Sequence, residues 1–165
     1  MDAFDDVLAA NKLFEQQFHD DGLPGRAARG LAVVTCMDSR IEPLRMLGLG
    51  RGDAKILRNG GARVTDDVLR TLVLAAHLLG VDRIMVVAHT DCRMTKVSDE
   101  QIHAAIQADS GIDTRSLEFR AITDQQAVLA ADVQKVRSSP FLPVGVQVGG
   151  FLYDVGTGAL NQVVS

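Results

Sequence analysis

Leu31-Ala32-Val33-Val34-Thr35 runs directly into Cys36-Met37-Asp38-Ser39-Arg40. The first five residues form a short, continuous apolar run, the pattern of a strand buried on both faces of a parallel sheet. Two more such runs follow, Ala54–Leu57 and Arg83–Ala88. Between these two lies Thr65–Leu79, with Thr65 as N-cap, Asp66 and Asp67 in the first turn where the helix dipole favours acids, and Gly80 just past the end. Strands alternating with helices predict an α/β fold whose crossovers are right-handed.

The pattern continues outward in both directions. Ser98-Asp99-Glu100-Gln101 has the form of a capping box and opens a helix that closes near Gly111. Ile122, Leu129, Val133 and Val136 mark a second helix over Asp124–Arg137, which Pro140 stops. Val144–Val155 reads as a strand, and the turn Gly156-Thr157-Gly158 leads into Ala159–Val164, so the chain finishes in a hairpin. On the other side, Phe4, Val7, Leu8, Phe14 and Phe18 share one face of an amphipathic helix over 3–18, ended by Gly22, Pro24 and Gly25. That flexible loop leaves two packings open: against the chain's own core, which is the default, or as an arm on a partner subunit.

At 165 residues the chain fits a single core. Hydrophobic residues at 47% and charged residues at 23% describe a folded, water-soluble domain, neither disordered nor membrane-spanning. A net charge of −4, with six Phe, one Tyr and no Trp, offers neither the basic footprint nor the stacking aromatics of a nucleic-acid binder. His77, Asp82 and Arg83 interrupt the most apolar region before a bilayer's length is reached, and the acidic Met1–Asp6 start is unlike a secretory signal. The expectation is a cytoplasmic protein with no membrane partner. In a reducing compartment two cysteines are better suited to metal ligation or catalysis than to a disulfide.

Cys36-Met37-Asp38-Ser39-Arg40 and His89-Thr90-Asp91-Cys92 each fall at the end of a predicted strand. Open α/β sheets form their ligand crevice outside the carboxyl ends of the strands, so the two motifs can meet in one cleft. Two thiolates and an imidazole suit Zn²⁺, which keeps an open fourth position when it is catalytic. Asp38 and Asp91 are the candidates for a fourth ligand. Arg40, two residues from Asp38, can form a bidentate pair that holds this carboxylate off the metal. Either motif alone is a weak signal, because a buried strand-end Cys is commonly just a small hydrophobe. Two other chemistries fit less well. Cys36 and Arg40 resemble a phosphatase nucleophile with its anion-binding Arg, but the loop between them is too short to aim successive N–H groups at a phosphate. Gly48-Leu49-Gly50-Arg51-Gly52 precedes a strand, and Arg58-Asn59-Gly60-Gly61 lacks the order of a nucleotide-binding loop.

With both motifs in view, the chain resembles the β-class carbonic anhydrases, of the short bacterial and archaeal kind. The resemblance rests on the paired C-x-D-x-R and H-x-x-C motifs at Cys36, Asp38, Arg40, His89 and Cys92. It extends to Arg58–Gly61, the VTDDVLRTL helix and the GFLYDVGTGAL hairpin, covering about residues 28–164. It implies zinc held by Cys36, His89 and Cys92, with reversible hydration of carbon dioxide to bicarbonate and a proton. The implied fold is a three-layer α/β domain over 26–165, with a mostly parallel central sheet, an antiparallel edge strand and a C-terminal hairpin. Residues 1–25 become a helical arm embracing the partner in a homodimer or homotetramer. Two thiolates leave the ion formally neutral, so it acidifies water less than a three-imidazole site, and Asp38 pinned by Arg40 is the residue pair expected to assist. The family is also known for an inactive state in which this Asp occupies the fourth position. The sequence departs from the family pattern at Arg93, where Gly is usual, and at Gly60, where Ala is usual. A hydrolase of carbon disulfide or carbonyl sulfide on the same scaffold, and a non-catalytic zinc-binding sensor, are the alternatives. His19, His77 and His103 are candidate proton shuttles for which ordinary helix roles are the default.

Overall fold

The computed structural model describes residues 2–165. Met1, the first residue of the expected arm, lies outside them. In chain order the elements are α1 (Asp5–Gln17), β1 (Leu31–Cys36), α2 (Pro43–Met46), β2 (Ala54–Asn59), a 3₁₀ turn Gly60–Ala62, α3 (Asp66–Leu78), β3 (Arg83–His89), a 3₁₀ turn Arg93–Thr95, α4 (Asp99–Ser110), α5 (Gln125–Arg137), β4 (Gln147–Tyr153) and β5 (Leu160–Val164). The five strands form one sheet in the order β2-β1-β3-β4-β5. The first three pairings are parallel and β4–β5 is antiparallel, the expected hairpin at the edge.

Every residue of β1 is buried, because both faces of the strand are covered. Ala32 and Val34 pack with Val86 and Ile84 beneath Leu72 and Ala75 of α3 and Leu129 and Val133 of α5. Leu31 and Val33 face the other way, with Val87, against Met46, Leu47 and Leu49 in and after α2. Each fully buried Val contributes ~1.5–3 kcal/mol relative to exposure. The one polar residue of the strand, Thr35, donates its hydroxyl to the Val87 carbonyl at 3.2 Å and so needs no water.

Local signals set the helix boundaries. Thr65 Oγ1 accepts from Val68 N–H, and Ser98 and Gln101 complete a reciprocal capping box. The strand expected over Val144–Val155 begins only at Gln147. Gly145 takes a positive φ of 94° there, which breaks the extended run. The direction of the chain gives the sheet its function: β1 connects outward to β2 and β3 connects the opposite way to β4. Their carboxyl ends diverge and open a crevice between Cys36 and His89.

Candidate metal centre

Cys36, the last residue of β1, His89, the last of β3, and Cys92, in the loop that follows, converge at this crevice. One ligand atom from each lies within 4.8 Å of the others, and all three residues are buried. His89 Nδ1 is 2.8 Å from the Thr90 carbonyl oxygen, so Nδ1 carries the proton and donates it. That fixes the tautomer and leaves Nε2 with a free lone pair. Nε2 is buried and has no hydrogen-bond partner. An orphaned buried acceptor beside two thiols is costly unless something binds it. A tetrahedral N/S-binding cation fits that requirement.

The two sulfurs share protons unequally. Hydrogen bonding from Cys92 holds the Cys36 thiol well below the usual thiol range, opposed by burial and assisted by the Gly61 N–H. The same interaction with Cys36 pushes Cys92 up. Gly61 N–H points at Cys36 Sγ across 3.4 Å. The backbone there needs φ of +82°, and a Cβ would meet Ile122 at 3.1 Å, so glycine is required for both reasons. Arg58-Asn59-Gly60-Gly61, weighed above as a phosphate loop, instead serves the cysteine: Arg58 donates to the carbonyls of Cys36 at 2.9 Å and Asp38 at 2.6 Å. Gln125 Nε2 donates to the His89 carbonyl at 2.9 Å. Sequence reasoning missed Gly61, Arg58 and Gln125 as supports of the site. The R-N-G-G run carried a signal for the first two, and Gln125 had none.

Asp38 and Arg40 form the expected bidentate pair, Nε to Oδ1 at 3.0 Å and Nη2 to Oδ2 at 2.7 Å. The Arg40 side chain and then its backbone N–H hold the Asp38 carboxyl well below the usual carboxylate range. Asp38 Oδ2 stands 3.9 Å from His89 Nε2, at the edge of the ligand set. Asp91, the other candidate fourth ligand, is committed elsewhere: its oxygens receive Arg40 Nη1 at 2.8 Å and the Lys96 ammonium. Arg93 is exposed and is not among the residues with positive φ, so losing the usual glycine imposes no backbone strain. Two of the candidate shuttles have their rings bonded to other groups: His77 Nε2 to the Phe141 carbonyl and His103 Nδ1 to the Thr114 hydroxyl.

The walls around the thiols are apolar. Cys36, Ile41, Ala62 and Cys92 form one buried cluster with Met46, Met94, Tyr153 and Val155 packed on it. A cavity of ≈ 390 Å³, lined in part by Arg40, Met46 and Tyr153, adjoins it.

A family model described as carbonic anhydrase matches residues 31–160. The chain is 37% identical to beta-carbonic anhydrase 1 of Mycobacterium tuberculosis, over 99% of each protein. It superposes on the crystal structure of carbonic anhydrase from Streptococcus mutans with a TM-score of 0.92 and 36% identity, covering 99% of this chain and 98% of that one. It is also 30% identical to a carbon disulfide hydrolase of Acidithiobacillus thiooxidans, over 85% of this chain and 79% of that protein.

Proposed function

The chain belongs to the β-carbonic anhydrase family, and from that premise we propose how its own residues serve the reversible hydration of carbon dioxide to bicarbonate and a proton. Like other members it is a zinc enzyme. Cys36, His89 and Cys92 hold the metal, and the observation that carries this assignment is the unpartnered, buried Nε2 of His89 beside the two sulfurs. When bound, zinc supplies a water acidified enough to lose a proton near neutral pH.

Each supporting residue has a defined task. Thr90 holds His89 in the tautomer that presents Nε2, and Gly61 N–H steadies the Cys36 thiolate. Asp38 is the catalytic acceptor. Held ionised by Arg40, its Oδ2 accepts a hydrogen bond from the reacting water and orients it toward the substrate carbon. A carboxylate of such depressed pKa is a poor proton sink near neutral pH. Its role is therefore to orient the water, and the released proton passes to solvent. Arg40 keeps Asp38 in place and off the metal. The apolar cluster around Ile41, Ala62 and Tyr153 receives an uncharged, poorly hydrated substrate such as carbon dioxide.

Carbon disulfide is the alternative substrate. Beta-carbonic anhydrase 1 of Mycobacterium tuberculosis matches nearly the whole of both chains, whereas the carbon disulfide hydrolase of Acidithiobacillus thiooxidans matches a shorter span at lower identity, which favours carbon dioxide. A purely structural or sensory zinc site would have no use for the Asp38–Arg40 pair. Stopped-flow hydration of carbon dioxide, run beside carbon disulfide turnover and metal analysis, tests the reading. Zinc with neither activity would favour the sensor.

Residues 1–25 act as an arm on a second subunit. α1 buries none of its residues within its own chain, and Phe4, Val7, Leu8, Leu13 and Phe14 are all exposed. Their burial by a partner removes an apolar surface that a free helix would leave in water. The assembly is then a homodimer or a dimer of dimers. Among the described residues no helix is long and apolar enough to cross a membrane. Two metal-binding thiols must stay reduced, which suits the cytoplasm.

A further inference from the structure

Arg40 is held from two sides. Its Nε and Nη2 engage Asp38, while Nη1 donates to Asp91 Oδ2 at 2.8 Å and Nη2 also donates to the Asp91 carbonyl at 3.2 Å. The two carboxylates use different N–H groups of the fork, so they do not compete. Asp91 reaches this position through a left-handed backbone, φ +56°, which Asp adopts more readily than most residues. Its second oxygen is occupied by Lys96, from the end of the 3₁₀ turn that follows Cys92. Asp38, Arg40, Asp91 and Lys96 thus form a neutral chain of alternating charge. It ties the loop that follows Cys36 at the end of β1 to the loop that follows His89 at the end of β3 and holds Cys92.

From this geometry we infer that Asp91, backed by Lys96, is a positioning residue that latches Arg40 and thereby keeps Asp38 off the metal. The inference rests on the zinc-site reading above. Arg40 lies at the surface, with 45% of its side chain exposed, and an isolated exposed ion pair holds a long side chain only loosely. A second anchor on the far side of the guanidinium removes that freedom. Without it, Arg40 can swing toward solvent. Asp38 Oδ2, already 3.9 Å from His89 Nε2, is then free to close on the ligand set.

Asp91→Gly removes the carboxylate while tolerating the same backbone angle. The expected result is a fall in kcat of about tenfold or more, with KM little changed. In the cobalt-substituted protein, the visible bands should shift and stop responding to added thiocyanate, because Asp38 has taken the open position. Asp91→Asn keeps a neutral acceptor and the backbone preference, and should recover part of both losses. Lys96→Met should show a smaller loss of the same kind. A wild-type kcat together with an unaltered, thiocyanate-responsive cobalt spectrum in Asp91→Gly overturns the latch. If Asp91→Gly does not fold, Asp91→Asn decides: partial loss supports the latch, and wild-type values overturn it. If the wild-type protein itself fails to hydrate carbon dioxide, the functional reading falls, while the paired cobalt spectra still decide the role of Asp91.

Discussion

His89 and Thr90 are adjacent in the chain, yet the imidazole turns back to bond its neighbour's carbonyl, Nδ1 to O at 2.8 Å, and so commits its other nitrogen to the two sulfurs. The contact to the Thr90 carbonyl is made by main chain, so no side-chain substitution at position 90 removes it. The ligand itself is the place to probe. His89→Ala should leave the fold intact and abolish zinc retention, read by metal content after dialysis and by circular dichroism.

Arg40→Ala frees Asp38 from its bidentate partner. Loss of an outer-shell group of this kind costs about 10–100-fold in activity, and turnover should fall by that amount with zinc still bound. Asp38→Asn should lose comparable turnover, since the amide cannot stand in for an ionised acceptor. Stopped-flow hydration rates at saturating carbon dioxide check both.

Arg63 and Asp132 form a nearly buried ion pair at 2.8 Å, with only 16% and 8% of their side chains exposed. Asp132 also accepts Val64 N–H, tying α5 to the start of α3. Asp132→Ala leaves the Arg63 guanidinium without its counter-charge, though Nη1 still donates to the Arg120 carbonyl, and leaves Val64 N–H without an acceptor; the loss should cost about 3–5 kcal/mol. Urea unfolding of the zinc-loaded protein reads this, provided the transition remains two-state.

Asp99 accepts three backbone N–H groups, of Phe119, Arg120 and Ala121, at 2.7–3.1 Å. The Ala121 bond foremost, opposed by desolvation and aided by the Arg120 and Phe119 bonds, lowers its pKa. A carboxyl whose folded pKa lies below its unfolded value of about 3.9 contributes stability that is fully present above that value. The contribution is lost as pH falls through the folded pKa. Asp99→Asn should therefore lower stability at neutral pH and flatten its decline below about pH 4. Thermal melts of both proteins across the acid range check the sign.

Phe14 is 61% exposed on α1. A charge there should cost the fold of the subunit nothing and weaken the assembly. Phe14→Asp is expected to keep its secondary structure and shift toward monomer on dilution, as read by sedimentation velocity. An unchanged oligomer would show that α1 does not hold the subunits together.

The central sheet was legible because Leu31–Val34 and Ile84–Ala88 are apolar without alternation and too short for helices, the pattern of strands covered on both faces. The helix starts were legible because Thr65 and Ser98 cap by side-chain chemistry confined to a few neighbouring residues. The convergence of Cys36, His89 and Cys92 was legible because the first two end such strands and Cys92 follows His89 by three residues. The latch was not. Asp91 appeared as a candidate fourth ligand, and its left-handed backbone, which turns it to Arg40 and Lys96, leaves no mark in sequence beyond the tolerance of Asp for that conformation. α2 was also missed: Pro43 at its first position was the available signal, but four residues carry no periodicity. Gln125 reaches His89 from a helix 36 residues away, and a tertiary contact of that kind has no local signature.

The most direct test is the zinc content of the freshly purified chain, measured by elemental analysis before and after dialysis. An equimolar amount is expected, retained through dialysis and lost when Cys36, His89 or Cys92 is replaced. A chain that carries no transition metal and keeps none after incubation with zinc would contradict that expectation.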